Sequence, residues 1–139
     1  MQDRFKFRVF ISDKKNSKNS LTGMFKVHSL HTGTDKAIIT SLYGNCSIKL
    51  ENNVLMQCTG LKDKNGKLIY EGDIAKFKDN ITTNGSKTHI AVIEHNETFN
   101  AFMYRVECMG LFTVNKIQNE NFDVEIIGNI YENPELLEV

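Results

Sequence analysis

The feature that most constrains this chain is a hydrophobic period of two, broken every few residues by turn formers. Phe5, Phe7, Val9 and Ile11 alternate with Lys6, Arg8 and Phe10, which makes one face of an extended segment apolar. Further runs read as strands at Gly23–Leu30, Ala37–Tyr43, Ser47–Leu50, Val54–Thr59, Asp73–Lys78, His89–His95, Phe99–Cys108, Phe112–Lys116 and Asp123–Ile130. Each is short and bounded by Gly, Asn, Asp or Ser. The separators have a physical basis. Asn65-Gly66, after Asp63-Lys64, supplies the positive φ of a tight turn, and Glu71-Gly72-Asp73 forms a second turn. Residues 13–20 and 80–86 are polar loops. Only the end looks helical: Pro134 suits a first helical turn, Asn133 its N-cap and Glu135 its positive end. Leu136 and Leu137 would then pack back on the body.

Many short strands with hairpin-type turns, in 139 residues, predict a single mainly β domain. The economical solution is a small antiparallel β-barrel-like (SH3-like) unit with an N-terminal β extension and a short C-terminal helical turn. The SH3 analogy rests on Gly72-Asp73 followed by an alternating strand, and it licenses no function. Residues 1–53 form the less typical front region and 54–139 the compact unit. The front is too short to bury much core alone.

The 17 basic and 17 acidic residues cancel, which disfavours broad nucleic-acid affinity. They are unevenly spread. Arg4, Lys6, Arg8, Lys14, Lys15 and Lys18 face only Asp3 and Asp13 in the first twenty residues. The last twenty hold Glu120, Asp123, Glu125, Glu132, Glu135 and Glu138 and no Lys or Arg. A basic head and an acidic tail could meet in a salt-sensitive contact.

No apolar run follows the N-terminal basic positions as a signal peptide requires, and no stretch approaches the ~20 apolar residues of a membrane span. Three widely spaced cysteines, Cys46, Cys58 and Cys108, fit reduced thiols in a cytosol. Without Cys-x-x-Cys, a zinc site has little support. His28 and His31 point to opposite faces of a strand, and His89 and His95 lie about 20 Å apart along one. No metal and no cofactor is expected. Neither a Gly-x-Ser-x-Gly elbow nor a phosphate-binding glycine loop occurs, so no catalytic residue is expected either.

Two blocks carry a family resemblance. The first is Gln57, Thr59-Gly60-Leu61, Lys62-Asp63, Gly66 and Ile69-Tyr70-Glu71-Gly72-Asp73-Ile74; the second runs from Ile127 to Leu137 as Ile-Gly-Asn-Ile-Tyr-Glu-Asn-Pro-Glu-Leu-Leu. In these blocks the chain resembles the YopX family of phage and prophage proteins. Lys6-Phe7-Arg8 resembles the family's opening, although Val9-Phe10-Ile11 stands where Ala-Trp-Asp is common, and the chain has no tryptophan. The resemblance is dense over 54–78 and 127–137 and weak elsewhere. It implies a substantially β, oligomeric, non-enzymatic accessory protein of undefined biochemical role. It supplies no catalytic residues.

Most of the block reads as structure: glycines for backbone geometry, and Leu61, Ile69 and Ile74 for core. The candidate interaction surface is Lys62, Asp63, Lys64, Lys67, Tyr70, Glu71 and Asp73, with Tyr131 and Glu132 from the closing block. Expected partners are a second copy of the chain, with Phe5–Ile11 as a pairing edge, and an unknown phage or host protein in the bacterial cytoplasm. No membrane partner is expected. The competing expectation is a nucleic-acid-binding barrel using Lys62, Lys64, Lys67, Lys76 and Lys78 with Tyr70 and Phe77. A hydrolase with a hidden site is a third.

Overall fold

A computed structural model describes residues 6–11, 23–31, 33–41, 44–50, 54–78, 88–98, 100–106, 110–113 and 124–138. The expected loops at 13–20 and 80–86, together with Cys108, Arg4, Lys14, Lys15, Lys18, Glu120 and Asp123, lie outside these residues.

The described strands are β1 (Phe7–Ile11), β2 (Gly23–His31), β3 (Lys36–Ser41), β4 (Gly44–Lys49), β5 (Val54–Lys62), β6 (Leu68–Tyr70), β7 (Asp73–Lys78), β8 (Thr88–Asn96), β9 (Ala101–Val106), β10 (Gly110–Thr113) and β11 (Glu125–Asn129). They form two antiparallel sheets, ordered β4-β3-β2-β1-β5-β6 and β10-β9-β8-β7-β11. The mainly β, antiparallel expectation is met, and so is the C-terminal turn, a 3-10 helix at Pro134–Leu137.

Two expectations need correction. β1 is not an edge: it sits between β2 and β5, with Val9 opposite both Phe25 and Leu55. The alternation marks which side chains share a face and carries no information on whether a strand has one neighbour or two. Leu137 does not pack back on the body, being 39% exposed, whereas Leu136 is half-buried.

The main core joins both sheets. Ala75, Phe77, Ala91, Ile93, Tyr104, Val124 and Ile126 come from the second sheet and its approach, and Ile69 of β6 closes over them. A smaller cluster of Val9, Ile11 and Ile39 lies on the first sheet, with Phe25, Val27, Cys46, Ile48 and Leu50 only partly buried around it. The chain passes between sheets through the turn at Glu71-Gly72, which places the motif block at their junction.

Candidate functional site

The junction is built from two turns and a cap. In the first turn, after β5, the Asp63 carboxylate takes three backbone donors. Its Oδ1 accepts from Asn65 N and Lys67 N, both at 2.9 Å, and its Oδ2 accepts from Ile126 N at 3.0 Å. Lys64 N also donates to Val124 O at 2.9 Å. The turn therefore closes itself and grips the outer side of β11. A short carboxylate accepting several amides is what Asp offers a turn and Glu does not.

The second turn crosses the sheets. Gly72 has φ +84°, its N–H donates to Ile93 O at 2.8 Å, and its carbonyl accepts from Ile130 N at 2.9 Å. A Cβ here would lie 3.2 Å from Met56 Sδ and 3.4 Å from a Tyr131 ring carbon. The left-handed backbone calls for glycine, and a Cβ would also press on the Met56 sulfur.

Beneath this turn lies a buried ion pair. Arg8 Nη2 donates to Asp73 Oδ1 at 2.6 Å and to Glu71 O at 3.3 Å, while Asp73 Oδ2 accepts from Tyr70 N at 2.8 Å. The guanidinium carbon sits 4.7 Å from the Tyr70 ring centroid. Asp73 is 1% exposed, and burial raises its carboxyl above the usual range, with Arg8 and the Tyr70 amide pulling the other way. Arg8 Nε is buried with no hydrogen-bond partner among the described residues. Burial also raises the Tyr70 hydroxyl, with the Cys58 thiolate form adding to it.

The cap is the closing block. Asn129 Oδ1 accepts from Tyr131 N at 3.1 Å and Glu132 N at 2.9 Å, and its Nδ2 donates to Glu132 Oε1 at 3.0 Å. Asn133 fills the N-cap position without a capping bond from its side chain. Its Oδ1 instead accepts from Asn129 N at 3.3 Å and lies where a Gly128 Cβ would stand, 2.6 Å from it. Tyr131 stacks on Phe10 of β1 with centroids 5.2 Å apart. The closing block thus docks on the chain's own body.

Of the nine candidate surface residues, Asp63 and Asp73 are interior, with their oxygens already engaged. Lys62, Lys64, Lys67 and Glu132 are exposed, and Tyr70, Glu71 and Tyr131 are half-buried. The lysines lie on the Asp63 hairpin, where Lys64 pairs with Glu125 at 3.4 Å. Tyr70, Glu71 and Tyr131 gather at the Gly72 turn. Burial raises the Tyr131 hydroxyl, and the Glu71 charge adds to it. The basic head and acidic tail do not meet through Arg8, whose carboxylate partner is Asp73. Among the described residues, no group of three His, Cys, Asp or Glu lies close enough to hold a metal, and no helix is long and apolar enough to cross a membrane.

Sequence reasoning missed Arg8, Phe10, Gly128, Asn129 and Asn133 as parts of one junction. The signal for Arg8 was a charge in mid-strand, flanked by apolar neighbours. Its partner lies 65 positions away, beyond any periodicity.

Fold and junction together define an antiparallel two-sheet protein whose motif residues fasten the sheets to each other. The family model described as YopX protein matches residues 6–138, and the chain belongs to the YopX family. Two crystal structures share the architecture. Protein EF1440 from Enterococcus faecalis is 26% identical with a TM-score of 0.60, over 95% of this chain and 96% of that one. Protein yopX from Bacillus subtilis is 18% identical with a TM-score of 0.59, over 96% of this chain and 98% of that one. No curated protein matches the chain.

Proposed function

We propose that this protein is a non-enzymatic accessory protein of phage or prophage origin, working in the bacterial cytoplasm by protein–protein contact as a homo-oligomer. The observation that supports the reading is where the motif's polar groups are spent. Asp63, Asp73, Asn129 and Asn133 direct their side chains to backbone amides, to Arg8 or, for Asn129 Nδ2, to Glu132. They hold a scaffold together, and the groups left to meet a partner are outer faces and strand edges. Size-exclusion chromatography with light scattering at micromolar concentration is the test. A mass that is a multiple of 15.9 kDa supports assembly; a monomer at every salt concentration ends the oligomer reading.

One observation favours a second reading, nucleic-acid binding. Lys64, Lys76 and Lys78 line a single open recess of about 130 Å³ with Thr88, Phe77 and Glu125. Against it, Phe77 is 4% exposed and offers no stacking face, and Tyr70 already carries Arg8. Titration with labelled single- and double-stranded DNA decides it: binding with a steep salt slope supports it, and no binding at low salt removes it.

A further inference from the structure

The outer edge of β4 has a definite pattern of backbone groups. Leu50 N donates to Asp35 O at 3.0 Å, directly across the β3–β4 register. Hydrogen-bonded and non-bonded pairs alternate along an antiparallel ladder. Ile48, Cys46 and Gly44 therefore spend their backbone groups on β3, and the backbone groups of Asn45 and Ser47 point away from it. No described strand pairs with that side. An edge of this kind is a template for another strand.

The side chains bear on what the added strand is. Cys46 and Ile48 lie opposite Ile39 and Ala37 on the half-covered apolar face, and Asn45 and Ser47 are exposed on the polar face. The stretch that faces itself in an antiparallel pairing centred on Cys46 is Asn45-Cys46-Ser47, which is short and uncharged, with Lys49 beyond it. A strand reading the same way in the opposite direction satisfies both faces. With a two-fold axis at Cys46, Asn45 faces Ser47 of the second copy, Cys46 faces Cys46, and Ile48 faces Gly44, the smallest residue against a large one. The two Asn45–Ser47 pairs are hydrogen-bonded pairs. Cys46–Cys46 is a non-bonded pair, with Cα atoms about 4.5 Å apart.

We propose that β4 pairs antiparallel with β4 of a second copy about a two-fold axis at Cys46, joining two six-stranded sheets into one. This rests on the homo-oligomer reading and specifies its contact. The apolar cluster around Ile39 then continues across the axis. So short an edge contact lies at the small end of specific interfaces, so association is concentration-dependent.

The experiment combines light scattering with thiol cross-linking of the full chain. Diamide accepts the two electrons and two protons released when facing thiols join, and about 4.5 Å between Cα atoms is within disulfide reach. A covalent dimer is expected from the wild type and not from Cys46→Ser. Ser47→Pro removes an outward N–H that β3 does not use, so the fold stands and the assembled mass falls about twofold at matched concentration. An assembled wild type with no Cys46-dependent dimer and an unchanged Ser47→Pro mass overturns this contact and leaves the homo-oligomer reading intact. A wild type that is monomeric throughout overturns both.

Discussion

Arg8 and Asp73 show how one pair of charges sets the behaviour of the junction. Taking two charges out of water costs several kcal/mol each, and removing one partner leaves the other uncompensated, at about 3–5 kcal/mol. Arg8→Met should therefore lower the free energy of urea unfolding by about that amount at neutral pH. The pH dependence follows from the Asp73 shift, whose direction is upward. A carboxyl raised above its unfolded value binds protons more tightly in the folded state. Its contribution is fully favourable below the unfolded value and declines as pH rises through the folded one. Arg8 opposes that rise, so Arg8→Met pushes the carboxyl higher still. The loss should shrink as pH falls toward 4, whereas in Asp73→Asn, which has no carboxyl to titrate, this recovery should not appear. Unfolding curves at several pH values test both. Tyr104 is the opposite case. Its hydroxyl is buried with no hydrogen-bond partner among the described residues, and burial, then the Asp73 and Asp63 charges, pushes its ionisation well up. An unpaired buried hydroxyl costs about 1–3 kcal/mol, so Tyr104→Phe should be neutral or stabilising by about 1 kcal/mol, read as an unchanged or raised denaturation midpoint.

The turns fix how the strands of the two sheets meet. Gly72 joins β6 to β7, bonds to both Ile93 and Ile130, and holds a positive φ with Met56 Sδ 3.2 Å from where a Cβ would stand. Gly72→Ala should cost about 1–3 kcal/mol through its left-handed backbone, with crowding of Met56 and Tyr131 added. Thermal unfolding followed by circular dichroism measures it, and an unchanged midpoint would refute the strained-turn account. This turn was legible in the sequence because Glu-Gly-Asp before an alternating run has a local cause. The bounds of β7, Asp73–Lys78, were legible for the same reason. β6 was not: its three residues between two turns are too few to display any period. That Asp63 and Asp73 are interior was not legible, because polarity in a turn looks alike whether the group faces water or accepts backbone amides. Burial decides between the two, and it depends on β1 and β11, which are distant in sequence. The Asp63–Ile126 and Arg8–Asp73 contacts span 63 and 65 positions, and local pattern does not encode them.

At the scale of the whole molecule, the resemblance is densest in 54–78 and 127–137, yet the folding unit is larger. β1, from the front region, lies against β5 along Phe7–Gln57, Arg8–Met56, Val9–Leu55 and Phe10–Val54. It also supplies Arg8 to Asp73 and Phe10 to Tyr131. A fragment of residues 54–139 therefore loses more than an appendage. β5 gains an open edge, the Asp73 carboxylate is left buried without its cation, and Tyr131 loses its stacking partner. The charge term alone, about 3–5 kcal/mol, is comparable with the 5–15 kcal/mol total stability of a domain. The fragment should show no cooperative thermal transition by circular dichroism and rapid amide exchange throughout. The intact chain should give one transition whether followed at the β signal or by tyrosine fluorescence, because the junction ties both sheets to β1. A sharp, cooperative melt of the fragment would show that β1 is dispensable and that the junction is held by the Gly72 and Asp63 turns alone.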